Sequence, residues 1–197
     1  MVARELGLHG ALGVGHSLGG HAMALAAALE PGAFSRLLLI DPVIQSADRY
    51  KASFTDADFI ARRRSRWKSV EEMYSRFLGK PPFSGWKPEI LHDYCEFGLL
   101  PEGDEFVLAC PPEIEASIYR HWNLPNADIS AELAVIQQPT VVIRSGRMMP
   151  DDVFDLSASA TDPKLVSRIS HAEDVYLEGA SHFIPMEYPD LIVDRCR

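Results

Sequence analysis

The sequence predicts an α/β fold in which a mostly parallel sheet is interrupted by a long helical insertion. Two apolar runs predict strands, GALGVG at 10–15 and RLLLIDPV at 36–43, and a strand pattern rich in β-branched residues returns at 138–146. The first two runs are apolar without alternation, which is typical of strands covered on both faces in a parallel sheet. Helical patterns occupy the roughly 90 residues between, far more than an ordinary connection.

The first part of the sheet is predicted over residues 1–44. The segment LGGHAMALAAALE at 18–30 is rich in alanine and leucine, which favour helices, and Pro31-Gly32 ends it. A strand, a helix and a strand therefore follow one another as one βαβ unit.

The insertion is predicted over residues 45–135. Helical patterns cover three of its segments, at 55–79, 87–100 and 111–122. The basic run ARRRSRWK at 61–68 lies in the first segment and is interpreted as a solvated face. An insertion of this length often carries function, for example as a lid over a site.

The last part of the sheet is predicted over residues 136–197. QPTVVIRSG at 138–146 predicts a strand, and PKLVSRI at 163–169 predicts a short helix. The final stretch at 173–196 predicts a last strand, a loop that carries His182, and a closing helix.

Composition excludes several classes of partner. The net charge of −9 gives no broad basic surface, so no nucleic-acid partner is expected. No apolar run is long enough for a membrane span, which needs about 20 residues, and no signal peptide opens the chain. These absences predict a cytoplasmic protein.

Cysteine and histidine spacing predicts no metal site. Cys95, Cys110 and Cys196 are scattered, with no CxxC pair, and the seven histidines show no HExxH spacing. The cysteines are therefore interpreted as reduced thiols of an intracellular protein, and no cofactor or metal is expected.

A glycine-rich turn, GVGHSLGG at 13–20, separates the first predicted strand from its helix. It could cradle a dinucleotide phosphate, since Gly13 and Gly15 follow a strand and Asp41 ends the next strand, where such folds place an acid for the ribose. The third small position of that fingerprint, however, falls on Leu18, whose side chain would block the close approach of helix and strand.

A nucleophile elbow explains the same turn better. Gly15-His16-Ser17-Leu18-Gly19 matches G-x-S-x-G in full, between a strand and a helix. Ser17 would occupy a strained apex, and a Cβ at either flanking glycine would clash with neighbouring backbone. The N-terminal amides of the helix, that of Leu18 first, would favour negative charge developing at the site.

A serine nucleophile needs a base, and His182 is the candidate. It follows the last predicted strand and a Gly-Ala-Ser turn, and a helix follows it. This place in chain order is the one that the elbow predicts for the histidine.

The stretches GVGHSLGGHAM, LLLIDPVI, PTVVIRSG and EGASHFIPMEYPDLI resemble the α/β-hydrolase superfamily over nearly the whole chain. They match strands five to eight of that fold, its C-terminal part, with a helical cap between strands six and seven. The cap stretch RRRSRWKSVEEMYSRFLGKPPFSGW is similar to fungal hydrolases related to peroxisomal lipase and toxin-biosynthesis enzymes.

The resemblance leaves open which acid orients His182. Most relatives place it just after strand seven, three residues past a glycine, but Met149 stands there in this sequence, and Asp151, Asp152 and Asp155 come later. A minority use an acid at the end of strand six, where Asp41 lies. Asp41 could also be a structural residue that caps its loop.

The resemblance implies a serine hydrolase of esterase, lipase or thioesterase type, in EC class 3.1. Ser17, His182 and Asp41 would form its triad, the Leu18 amide would bind the oxyanion, and the substrate would be a small, largely apolar acyl compound. The alternatives are a hydrolase-like protein that binds a ligand without catalysis, an inactive truncated form, and a nucleotide-binding domain.

The front of the fold is short in this sequence. Residues 1–9 precede the first predicted strand, where relatives have further strands and the loop that supplies a second oxyanion amide. We therefore expect a truncated hydrolase whose first strand lies at a sheet edge, through which copies of the chain could associate as a homo-oligomer.

Overall fold

The computed structural model describes residues 2–50, 57–147 and 155–197. It divides into two compact units, each continuous in space. The core unit comprises Met1–Ala52 and Leu124–Arg197, and the insertion unit comprises Ser53–Asn123.

Helices and strands alternate from α1 to α4, at residues 2–77, and then follow one another in pairs of the same kind. The strands are β1 (Ala11–His16), β2 (Phe34–Ile40), β3 (Arg66–Trp67), β4 (Leu99–Glu102), β5 (Glu105–Leu108), β6 (Thr140–Ser145) and β7 (Ala172–Leu177). The helices are α1 (Val2–Glu5), α2 (Leu18–Leu29), α3 (Asp58–Ala61), α4 (Val70–Phe77), α5 (Pro88–Phe97), α6 (Pro112–His121), α7 (Ser130–Leu133), α8 (Ile184–Glu187) and α9 (Pro189–Cys196).

The core unit contains a four-stranded parallel sheet in the order β1-β2-β6-β7. This confirms the predicted α/β class with a mostly parallel sheet. The carboxyl ends of parallel strands meet at one edge of a sheet, so the loops that follow β1, β2, β6 and β7 are brought together there. These loops carry the candidate site residues. The predicted helix at 163–169 is a single 3₁₀ turn, Leu165–Arg168.

Strand β2 is apolar throughout its second half because both of its faces are covered. Leu37 and Leu39 pack in a cluster with Ala24 and Ala27 of α2. Leu38 and Ile40 pack in a second cluster, on the opposite face, against α8 and α9. Because successive side chains of a strand point to opposite faces, both faces require apolar residues.

Strand β1 lies at an edge of this sheet. Within the part of the chain that the structure describes, it is hydrogen-bonded to β2 alone. Val14, in the middle of β1, is 39% exposed. The edge position expected from the sequence is therefore present in the core unit.

The insertion unit mixes helices with a small antiparallel sheet in the order β3-β5-β4. Helices α4, α5 and α6 lie within the predicted helical segments, but the chain between them is not helical throughout. Trp67, Met73, Leu91 and Cys95 are buried and form its interior. Several aromatic side chains of this unit contact one another: Phe77 and Phe83 stack with ring centroids 4.4 Å apart, and Trp86 meets Phe83 edge-on at 5.0 Å.

The predicted helix at 87–100 is wrong at its end. Helix α5 ends at Phe97, and Leu99 begins a hairpin of β4 and β5 around Gly103-Asp104. Gly103 has a φ of 63°, which suits the first position of a two-residue hairpin loop. The Gly-Asp pair was the sequence signal for this hairpin.

The basic run at 61–68 is also not a helix beyond Ala61, since Arg66 and Trp67 form β3. Its arginines lie in ion pairs with carboxylates. These pairs are Arg62 with Asp58 (3.3 Å), Arg63 with Glu115 (2.6 Å), Arg64 with Glu72 (2.8 Å) and Arg66 with Glu102. Neighbouring acids therefore offset the positive charge of the run.

Candidate active site

Ser17 occupies the sharp turn between β1 and α2. Its φ of 59° and ψ of −128° are strained values for a residue with a side chain. Surrounding backbone holds the turn in place: the Ser17 N–H donates to Ile40 O at 3.0 Å, and the Ser17 carbonyl accepts from the N–H groups of Gly20 and Val43, both at 3.0 Å. The strain thus persists because contacts on several sides fix this backbone.

Two glycines make the turn sterically feasible. A Cβ on Gly15 would lie 2.4 Å from Gly19 O, and one on Gly20 would lie 2.7 Å from Pro42 Cβ. The expectation of a clash at Gly19 is wrong, because a Cβ there would meet nothing within 4 Å in the structure. The close approach of α2 to the strand ends therefore depends on Gly15 and Gly20.

His182 contacts both other candidate residues. It lies in the loop between β7 and α8, where its backbone N–H donates to Ser157 O at 2.8 Å. Its Nε2 lies 2.9 Å from Ser17 Oγ, and its Nδ1 lies 2.6 Å from Asp41 Oδ2. With Nδ1–H donating to the carboxylate, Nε2 is left to accept the proton of the serine hydroxyl.

Asp41 lies directly after β2, and its side chain is fully buried. Besides His182 it accepts hydrogen bonds on Oδ1 from Ser145 N at 2.9 Å and from Ser159 Oγ at 2.7 Å. Its φ of 39° is unusual for a residue with a side chain, and its backbone N–H donates to Ile143 O at 2.7 Å. These donors supply the partners that a buried carboxylate requires.

Asp155, the other candidate acid within the described residues, does not share this contact. Asp151 and Asp152 lie outside the described residues. The Asp155 carboxylate accepts from Ser157 N at 2.9 Å and from an Arg147 guanidinium N–H at 2.8 Å. Of the acids that the sequence left open, the structure brings Asp41 to His182. The contact with His182 also argues against Asp41 as a ribose ligand, which the nucleotide-binding alternative required.

His16, which precedes the serine, supports the base. Its Nε2–H donates to the His182 carbonyl at 2.8 Å, and the two ring centroids lie 4.9 Å apart. Burial, followed by the proximity of His182, lowers the pKa of His16 from 6.5 to about 4. His16 is therefore neutral at pH 7, and no second positive charge opposes a charged His182.

Leu18 begins α2, so its backbone N–H has no carbonyl partner within the helix. It lies beside Ser17 at the positive end of the helix dipole. This is the place expected for an amide that binds an oxyanion.

Three supporting residues were missed by the sequence analysis: Ser145, Ser159 and Thr161. Ser145 N and Ser159 Oγ donate to Asp41 Oδ1, and Thr161 Oγ1 lies 3.2 Å from the same oxygen. They lie more than a hundred positions from Asp41, and small hydroxyl residues are frequent in loops, so no local pattern identifies them.

One cluster of metal-ligating side chains exists within the described ranges, formed by His92, Asp93 and Glu96. All three are exposed on α5, in the insertion unit, and His92 and Glu96 are simply neighbours one helical turn apart. Among the described helices, none is long and apolar enough to cross a membrane.

Comparison with known proteins identifies the family. The model of the alpha/beta hydrolase family matches residues 2–195. The chain belongs to this family. The resemblance inferred from GVGHSLGGHAM and the later stretches is thereby confirmed.

Among solved members of the alpha/beta hydrolase fold, the chain is similar to the peroxisomal alpha-beta-hydrolase Lpx1 of Saccharomyces cerevisiae. The TM-score is 0.72 with 20% identity, covering 94% of this chain and 50% of that one. It is also similar to the thioesterase domain from the curacin biosynthetic pathway, with a TM-score of 0.70 and 18% identity over 99% of this chain and 69% of that one.

A curated relative is the abhydrolase domain-containing protein AFT2-1 of Alternaria alternata, which is 32% identical over 80 residues. The match covers 41% of this chain and 30% of the relative. The comparison thus spans under a third of this relative and half of Lpx1. The word peroxisomal describes the yeast protein, and the cytoplasmic location of this chain stays a prediction.

Proposed function

We propose that this protein is a serine hydrolase that cleaves an ester or related acyl bond through Ser17, His182 and Asp41. One observation carries the proposal: an unbroken line of hydrogen bonds runs from Asp41 Oδ2 to His182 (2.6 Å) and from His182 to Ser17 Oγ (2.9 Å). This is the arrangement through which an imidazole activates a hydroxyl.

The geometry supports a two-step acyl transfer. Ser17 Oγ attacks the substrate carbonyl carbon as His182 Nε2 takes the hydroxyl proton, and the carbonyl oxygen becomes an oxyanion. When the tetrahedral intermediate collapses, the C=O double bond reforms, and the alcohol or other leaving group departs with the proton from Nε2. Water then attacks the acyl-serine by the same route and releases the acid.

Asp41 and Leu18 stabilise the charges that this reaction creates. Asp41 holds His182 with a proton on Nδ1 and offsets the positive charge of the imidazolium. The Leu18 N–H, at the start of α2, would donate to the oxyanion. A donor of this kind typically contributes about 3–4 kcal/mol of transition-state stabilisation.

We propose a small, largely apolar acyl substrate in EC class 3.1. The structural relatives support an acyl bond: one of them is named as a thioesterase domain.

A fluorophosphonate probe tests the proposal directly. Such a probe reacts with an activated serine, so we expect one adduct on Ser17, and hydrolysis of p-nitrophenyl acetate, butyrate and octanoate. Ser17→Ala should abolish both. Ser35→Ala is the matched control, since the exposed Ser35 hydroxyl contacts Ala11 O, remote from the elbow. A folded wild-type chain that forms no Ser17 adduct would falsify the proposal and favour ligand binding without catalysis.

A further inference from the structure

The loop that follows β6 lies against both the acid and the base. Its described residues are 146–147 and those from 155 onward. Within it, the Ser157 carbonyl accepts from His182 N at 2.8 Å, and the Ser159 hydroxyl lies 2.7 Å from Asp41 Oδ1. One short stretch of chain therefore contacts two candidate site residues that come from different strands.

The proton of the Ser159 hydroxyl has a defined direction. Ser159 Oγ accepts a hydrogen bond from Thr161 N at 3.1 Å, so its own proton is free to point to Asp41 Oδ1. Ser159 and Asp41 are both buried, and water therefore does not compete for this bond. A hydrogen bond to a charged acceptor is among the stronger ones in proteins.

Thr161 acts differently from Ser159, although it is nearby. Its hydroxyl lies 2.7 Å from Pro42 O and 3.2 Å from Asp41 Oδ1. A hydroxyl has one proton, and the shorter distance assigns it to the Pro42 carbonyl. Ser159 is thus the hydroxyl whose proton is directed to the carboxylate.

The two Asp41 oxygens consequently have separate partners. Oδ1 accepts from Ser145 N and Ser159 Oγ, whereas Oδ2 accepts from His182 Nδ1. Two donors on Oδ1 restrict rotation of the carboxylate about its terminal torsion, which is otherwise broad. Oδ2 is thereby kept in line with Nδ1.

We propose that Ser159 is a positioning residue, whose hydroxyl holds Asp41 Oδ1 so that Oδ2 faces His182. The inference rests on the proposed serine hydrolase function and deepens it. The loop after β6, where most relatives were expected to carry the acid itself, supplies here a hydroxyl that orients an acid located at the end of β2.

Removal of the hydroxyl tests the proposal. Ser159→Ala should lower the rate of Ser17 labelling by a fluorophosphonate about 10- to 100-fold, the fold-change that corresponds to the loss of a hydrogen bond to a charged group. It should also shift or broaden the downfield proton NMR signal of His182 Nδ1–H. Ser159→Thr keeps a hydroxyl and should restore most of the rate. Ser167→Ala, which removes an exposed hydroxyl that contacts Lys164 O, should leave both readouts unchanged.

The possible results separate this inference from the proposed function. If Ser159→Ala is labelled at the wild-type rate with an unchanged NMR signal, Ser159 has no positioning role, and the proposed function stands. If the wild type itself is not labelled at Ser17, the proposed function fails, and the NMR signal still tests the contact. If Ser159→Ala does not fold, Ser159→Cys keeps the volume with a weaker donor and should show the same loss; a wild-type rate for it would overturn the inference.

Discussion

The Asp41 side chain has no solvent exposure, so its hydrogen-bond partners must all come from the protein. Asp41→Asn keeps the size of the side chain but removes the charge that stabilises a charged His182, and its amide can favour the wrong tautomer. We expect turnover of a p-nitrophenyl ester to fall about 10⁴-fold, with KM little changed. Circular dichroism of the variant checks that the fold survives.

Asp155→Asn is the matched control for this change. The Asp155 carboxylate contacts Ser157 and Arg147 instead of His182, so turnover should stay within a few-fold of wild type. Asp151→Asn and Asp152→Asn complete the comparison. Loss of turnover in either of these, with Asp41→Asn active and folded, would assign the acid to the loop after β6.

His16 makes stability depend on pH. Because its pKa falls from 6.5 to about 4 on folding, the unfolded chain binds a proton between these pH values that the folded chain does not. The free energy of unfolding should therefore decrease as pH falls from 6.5 to 4, by up to about 3 kcal/mol from this residue, and the contribution is restored above pH 6.5. Urea denaturation at several pH values measures it.

His16→Gln isolates this contribution. Glutamine keeps an N–H donor for the His182 carbonyl but does not titrate, so the variant should lose less stability between pH 6.5 and 4. His9→Gln changes an exposed histidine and should follow the wild-type curve. Equal pH dependence in the wild type and His16→Gln would contradict the low pKa of His16.

At the residue scale, the sequence singles out a candidate most clearly where chemistry produces a local pattern. Ser17 is marked by its flanking glycines, and His182 by its place after the last strand. Spacing could not choose between Asp41 and the later acids, because that choice depends on which loop reaches His182 in three dimensions. Ser159 had no local signal, since its partner lies 118 positions away.

At the scale of elements, the elbow depends on how closely α2 approaches the strand ends. Gly15→Ala would place a Cβ 2.4 Å from backbone, so we expect a loss of about 2–3 kcal/mol in the free energy of unfolding, together with slower Ser17 labelling. Gly19→Ala meets open space and lies inside α2, where alanine favours the helix. It should change stability by less than about 1 kcal/mol.

Urea denaturation of the pair Gly15→Ala and Gly19→Ala gives a direct comparison, because the same methyl group is added four residues apart. A cost at Gly19 equal to that at Gly15 would contradict the packing described for the elbow.

Elements were predictable where burial leaves a run or a pattern of apolar residues. The strands of the parallel sheet are apolar because both of their faces are covered, as for Leu37 and Leu38. The insertion was harder, since the hairpin of β4 and β5 has mostly exposed residues and its signal is reduced to Gly103-Asp104. Trp67 is buried in a two-residue strand, which is too short to show any period.

At the scale of the whole molecule, β1 pairs with β2 alone among the described residues, and an edge strand of this kind can bind another copy of the chain. An edge strand presents unpaired backbone groups that another strand can bind, and Val14 adds apolar surface. We propose that the chain self-associates through β1. Sedimentation velocity should show a mass that rises with concentration, and Val14→Lys should shift the equilibrium toward the monomer.

Val193→Lys provides the control for this substitution. Val193 is 51% exposed on α9, so the same charge is added away from β1. A wild-type chain that remains monomeric at every concentration, or an equal effect of both lysines, would argue against association through β1.

The contact between His182 and Ser17 joins positions 165 residues apart. Contacts of such long range form late, because the intervening chain must be ordered before they close. The imidazole that contacts Ser17 lies 165 positions later in the chain, so it is synthesised well after the serine turn. On the proposed function, Ser17 would not react with a serine-directed probe until His182 has been synthesised and its loop has packed in the core unit.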